Sequence, residues 1–269
     1  MIEFKLININ LYFLMDKKVP ENLNSKAHLF LTSLPGGYYN KNGKMLTDGF
    51  YKTNNFINIL ANLWKKNNKI LFITATPDNP NWSKTIIDII SQSLKLAKLS
   101  FSSFDLCDDN NFSQNLEEYD VIILGGGHVP TQNKFFEKIK LVNKIKHFEG
   151  IIIGVSAGSM NSAEIVYAQP EEDGEAIDPN YKRFLKGLNL TKFQIIPHYY
   201  SIKDGVLDGF RIIEDISYED SVGKCLYVLP NGSYIYQTRE EAYLYGEGFK
   251  IENKEMTKIC ENENKLKLY

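Results

Sequence analysis

The apolar positions of this chain recur with two periods. Short runs rich in Ile, Leu, Val and Phe alternate with stretches whose apolar residues return every three or four positions. Residues 27–32, 69–75, 101–106, 119–124 and 193–196 carry the first pattern and are expected as strands. Ile70-Leu71-Phe72-Ile73 and Val121-Ile122-Ile123 are the densest of these runs. Residues 50–64 place Phe56, Ile59, Leu60 and Leu63 on one helical face. Residues 82–98 form an amphipathic helix opened by Ser83. Residues 131–147 form another, with Phe135, Ile139, Val142 and Ile145 together. Residues 206–216 are expected as a short helix, and the segment from 225 onward alternates between Gly turns as antiparallel hairpins.

The run Ile151-Ile152-Ile153 fits a buried strand, and helical spacing starts at Ala157. Between them lies Gly154-Val155-Ser156-Ala157-Gly158, a small-residue turn with a serine at its tip. Strands alternating with helices over residues 25–168 predict an α/β fold: a mostly parallel sheet flanked by helices on both faces, with extra β-hairpins over 225–269. Right-handed crossovers would put the strand C-termini on one edge, so Gly125–Gly127, Ser156 and His198, each after a strand, should converge there. One domain over 1–269 is the simplest count, with residues 1–24 an N-terminal extension of unassigned role.

Bulk properties narrow the partners. With 31 basic and 33 acidic side chains, the net charge of −2 gives no general pull toward nucleic acid or an anionic membrane. The three cysteines, Cys107, Cys225 and Cys260, are scattered and odd in number. They suit a reducing compartment, hence a cytoplasmic setting, and neither a disulfide framework nor a zinc site. No run of about 18 apolar residues predicts a membrane span. Residues 6–15 come nearest to a signal-like apolar stretch, but two asparagines interrupt it, so a strand or helix of the mature chain is expected.

The serine turn has the form of a nucleophile elbow, in which a tight strand-to-helix turn exposes a hydroxyl and the glycines avoid collisions across it. The plainer reading is an ordinary small-residue turn. A serine nucleophile needs a base. Of the four histidines, His198 stands at a strand end after Ile195-Ile196-Pro197 and ranks first, with His128 on the glycine loop second. An orienting carboxylate would come from the loop between Ser156 and His198, which holds Glu171, Glu172, Asp173, Glu175 and Asp178; most of these are expected to be simply solvated. Backbone donors for an oxyanion would be Ala157 and Gly127. The glycine run lacks the ending of a phosphate-binding loop, and no cluster has metal-ligand spacing, so no cofactor and no metal are expected.

Leu124-Gly125-Gly126-Gly127-His128, Gly154–Gly158, Ile177-Asp178-Pro179-Asn180 and Ile196-Pro197-His198-Tyr199, in this order, resemble the peptidase E family of aspartyl dipeptidases over roughly residues 65–245. Leu229-Pro230-Asn231-Gly232 resembles a further turn of that family. The resemblance implies a class I glutamine amidotransferase-like fold, with serine in place of that fold's usual cysteine, and hydrolysis of dipeptides or short peptides. It implies Ser156 as nucleophile, His198 as base, Gly127 and Ala157 as the oxyanion hole, and an acid counted back from Asp178 to Asp173, with Glu175 or Glu171 as alternatives. His128 stands where the family usually has Asn, and Asn231 where an acid is common. Arg211 is near the place of an arginine that reads a substrate aspartate, a place Asp208 could equally occupy; His128 and Arg211 are thus the substrate-binding residues implied. The implied partner is a short peptide, with a homodimer left open. Alternatives are a cyanophycinase-like amide hydrolase with an acidic pocket of Asp208, Glu214 and Asp215, a non-catalytic binding module of the same fold, and an α/β-hydrolase esterase.

Overall fold

The structure is a computed structural model and describes residues 20–112 and 115–269. The apolar stretch at 6–15, and most of the extension expected over 1–24, lie outside the described residues.

Eight strands form the principal sheet, in the order Lys265–Lys267, Ala242–Tyr245, Tyr234–Gln237, His28–Thr32, Ile151–Val155, Val121–Leu124, Asn68–Ile73, Phe101–Cys107. The last five run parallel, and the first three add an antiparallel wing. The register aligns Phe30, Ile153, Ile123 and Phe72 in one row across four strands, and Leu29, Ile152, Ile122 and Leu71 in the next. Successive strand residues face opposite sides, so the two rows feed two cores. Phe30, Ile153, Ile123 and Phe72 pack with Phe56, Leu60 and Leu94, which belong to helices Phe56–Leu63 and Pro80–Leu96. Leu29, Ile152, Ile122 and Leu71 pack with Phe135, Leu141 and Met160 of helices Val129–Lys138, Leu141–Ile145 and Ala157–Asn161. Helices therefore cover both faces, which is why these strands are apolar on both sides. Each such side chain contributes about 1.5–3 kcal/mol on burial.

A second sheet orders Gln194–Ile196, Cys225–Val228, Gly248–Glu252 and Glu255–Cys260, and only its first pair is parallel. His198 thus follows a strand of this second sheet, not of the sheet that carries Ser156, which corrects the expectation of a single edge. The expected C-terminal hairpins are present but divided between the sheets: Tyr234–Gln237 with Ala242–Tyr245, joined at the edge by Lys265–Lys267, in the principal sheet, and Gly248–Glu252 with Glu255–Cys260 in the second. Three local expectations also change. The second long helix starts at Pro80, capped by Asn79, whose side chain accepts from Trp82 N–H at 3.1 Å; Ser83 lies inside it, bonded to Thr74 at 2.7 Å. The helix expected over 131–147 breaks where Lys140 turns left-handed. Residues 206–211 form a small hairpin, Val206–Leu207 against Phe210–Arg211, because Asp208 and Gly209 both take positive φ, the signature of its two-residue turn. Only after it does a π-helical turn run over Ile212–Ser217. Among the described residues no helix is long and apolar enough to cross a membrane.

Candidate active site

Ser156 sits between the Ile151–Val155 strand and the Ala157–Asn161 helix with φ 50° and ψ −113°, a backbone conformation that serine adopts only under constraint. The constraint is visible. Its N–H is shared between the carbonyls of Thr32 and Ser33 at 3.0 and 3.1 Å. Ser159 Oγ donates to Thr32 O at 2.8 Å, and Thr32 Oγ1 to Gly154 O at 2.7 Å, so the neighbouring strand grips both ends of the turn. The two flanking glycines are required by space. A Cβ on Gly154 would lie 2.8 Å from the Ser159 backbone, and one on Gly158 would run into the Leu124 carbonyl. Ala157 opens the helix, so its N–H has no carbonyl one turn earlier to bond.

Across from the hydroxyl, His198 Nε2 stands 2.9 Å from Ser156 Oγ. Its other nitrogen, Nδ1, is 2.8 Å from Asn231 Oδ1. Paired parallel strands explain this meeting. Ile196 lies beside Val228, and Leu229 N–H donates to Ile196 O at 2.8 Å, so the two chains leave the sheet side by side. His198 turns left-handed there, with φ 58°, and its ring falls between Asn231 and Ser156.

Ser33, fully buried, ties the three together. Its Oγ accepts the backbone N–H of His198 at 2.8 Å and donates to Asn231 Oδ1 at 3.0 Å. Because that hydroxyl hydrogen points to the amide oxygen, Asn231 presents an acceptor, and His198 Nδ1 must carry the proton. Nε2 is then left with a lone pair facing the serine hydroxyl. Burial also holds the His198 pKa below the usual histidine value, against the raising effect of the Asn231 hydrogen bond. Near neutrality the imidazole is the free base.

The glycine run completes the site. Gly125 N–H donates to Ile73 O at 2.9 Å, and buried Gln132 donates to Gly125 O at 2.7 Å. Gln132 in turn accepts from Asn161 at 3.0 Å, so the loop is fastened to the helix that follows Ser156. A Cβ on Gly126 would come within 3.3 Å of the Ser156 Cβ, and one on Gly127 within 2.8 Å of Ala75. Backbone can therefore approach the serine where side chains cannot. Gly125–Gly127, Ser156 and His198 line one cavity of about 280 Å³.

Other expected residues lie elsewhere. Asp173 is exposed, and the position on His198 Nδ1 expected for a carboxylate belongs to Asn231. The reason is topological: the 169–181 loop folds over the glycine run, while the turn after the Cys225–Val228 strand reaches the histidine. Glu175 is bonded instead to His128 Nε2 at 2.8 Å and accepts the N–H groups of Glu171 and Glu172 at 2.9 and 3.1 Å. Burial opposes its charge, but those donors and His128 hold its carboxyl below the usual range. Glu171 contributes its backbone to this loop and its residue surface is exposed. His128 also meets Thr131 Oγ1 at 2.8 Å, so both its nitrogens are taken. Arg211 is exposed and paired with Asp215 at 2.6 Å, outside the cavity lining. Asp208 accepts from Gly174 and Ala176 N–H at 2.9 and 3.0 Å, so it and Asp215 are occupied rather than forming an open acidic pocket. Among the described residues, His128, Glu172 and Glu175 bring potential metal-ligand atoms within 4.8 Å of one another, a convergence that their separation in sequence hid.

Sequence reasoning missed Ser33 and the part played by Asn231. Ser33 carried no signal, since it follows an ordinary strand. Asn231 carried one, because it occupies the family turn where an acid is common.

No curated protein matches the chain. A crystal structure of a protein from Listeria monocytogenes EGD-e, described as a candidate peptidase E, is similar at TM-score 0.51 and 16% identity, over 87% of this chain and 99% of that one. At that identity the likeness speaks for the fold, the α/β arrangement of the class I glutamine amidotransferase-like type. The model of peptidase family S51 matches residues 46–245, a span that contains the glycine run, the Ser156 turn, His198 and Asn231, and the chain belongs to that family.

Proposed function

We propose that this protein is a serine-type peptidase that cleaves dipeptides or other short peptides, with Ser156 as nucleophile on a nucleophile elbow. The observation that carries the proposal is the 2.9 Å contact between Ser156 Oγ and the unprotonated Nε2 of His198. His198 takes the serine proton as Oγ adds to the scissile carbonyl. The N–H groups of Ala157 and Gly127 receive the developing oxyanion. His198 then passes its proton to the departing amine, leaving an acyl-serine. Water, deprotonated by His198, adds to that ester; the bond to Ser156 Oγ breaks, His198 returns the proton to Oγ, and the acid is released. Asn231 holds the ring in the tautomer this sequence needs, as a carboxylate would, but without its charge.

The test is Ser156→Ala, assayed on a dipeptide library beside the wild type. Turnover should fall by at least about a thousandfold, while the thermal midpoint stays near that of the wild type. Labelling by an alkyl fluorophosphonate should vanish with the hydroxyl. A variant that keeps most of its activity would refute the assignment.

A further inference from the structure

The cavity beside Ser156 has a single chemical character. Its walls include Phe50, Phe72, Trp82, Ile86, Ile89 and Ile90. The last four come from one helix, Pro80–Leu96, at spacings that place them along one face. Among the described residues, no Lys, Arg, Asp or Glu lines the cavity. Ser93 does, but its hydroxyl already donates to Ile89 O at 3.0 Å and meets Thr47 Oγ1 at 3.3 Å. Apart from that hydroxyl, the polar groups lining the cavity among the described residues are those of Tyr38, Ser156 and His198 and the indole N–H of Trp82.

We propose that the enzyme selects substrates with an apolar, uncharged side chain beside the scissile bond, seated against the Trp82–Ile90 face. The inference rests on the hydrolase reading for its chemistry and on the cavity for its selectivity. A carboxylate placed there would lose its hydration and find no cation in return, since Arg211 is outside the lining and paired with Asp215. A leucine or phenylalanine side chain would instead leave water for a surface of like character. Apolar pockets discriminate by about tenfold or more for differences as small as a methylene. Against a charged side chain the margin should be larger.

The experiment uses the full chain and a matrix of dipeptides with Leu, Phe, Asp or Arg at each position. An apolar residue at one of the two positions should raise kcat/KM at least about tenfold over Asp and Arg there. Equal or better turnover of Asp or Arg at both positions would overturn the inference while leaving the hydrolase standing. Should neither these dipeptides nor longer peptides of the same residues be cleaved, the hydrolase reading fails and binding to Ser156→Ala decides. The chain has two tryptophans, and Trp82 is at the cavity, so its fluorescence reports occupancy, with Trp82→Phe as the control. A response to Leu-Leu and Phe-Leu but not to Asp-Asp supports the cavity's selectivity, and equal responses sink it. Ile86→Arg should shift the ratio toward aspartyl peptides by tenfold or more; an unchanged ratio counts against the proposal. If that variant does not fold, Trp82→Ala, at an exposed position, should lower kcat/KM for the apolar peptides several-fold.

Discussion

Asn231 offers His198 an acceptor without a charge, and the consequence is a matter of pH. The proposed base works only when neutral, and burial lowers its pKa from the ordinary 6.5. A group whose pKa is lowered stays deprotonated at neutral pH and gains its proton only further into acid. The acid limb of kcat/KM should therefore fall below pH 6.5, with little change between 7 and 8. Asn231→Asp would set a negative charge on Nδ1 and favour the imidazolium. Because Asn231 is at the surface, the limb should move up by roughly half a unit to one unit rather than more. A pH–rate profile reads both, and a limb unmoved by the substitution would detach Asn231 from the base. The tight strand-to-helix turn at Ser156 was legible from its five-residue setting. Asp173 was not the partner of the base because residue counting along a loop carries no information about which way the loop folds.

Two small elements present the half-buried serine to the cavity: the turn that holds it and the glycine run facing it. Their demands are steric and can be separated by substitution. Gly158→Ala would drive a methyl into the Leu124 carbonyl, where the helix lies directly on the sheet. It should cost about 2–3 kcal/mol or prevent folding, as overpacking does in a close-packed core. Gly174→Ala, in the 169–181 loop outside both elements, is the contrast: it meets nothing within 4 Å and is strained only through its φ of +92°, so about 1 kcal/mol is expected. Urea denaturation of the two variants ranks them. Strands and helices of the principal sheet were readable because their periods are local. The boundaries that moved did so where a backbone conformation intervened, as at left-handed Lys140 and at the Asp208-Gly209 turn.

At the scale of the whole molecule, the serine and the histidine belong to different sheets, and their 2.9 Å contact depends on how those sheets are joined. One joint is polar and buried. Gln237, in the principal sheet, accepts from Thr191 Oγ1 at 2.6 Å and donates to Leu190 O at 3.3 Å, just ahead of the Gln194–Ile196 strand. Gln237→Ala would strand that hydroxyl and carbonyl in a dry interior. The expected loss is about 1–3 kcal/mol, with kcat falling more than the thermal midpoint alone would explain. Activity measured well below the melting transition checks the second part; unchanged kcat there would mean that the sheets are aligned by other contacts.

The amino-acid sequence alone determined the layered α/β plan, the serine on its glycine-flanked turn and the histidine at a strand end, because each is written in neighbours a few residues apart. Only the tertiary structure decided that His198 rises from a second sheet, that Asn231 and Ser33 set its tautomer, and that the cavity is apolar. Those outcomes join residues 33 to 198 positions along the chain, where sheet pairing chooses the contacts.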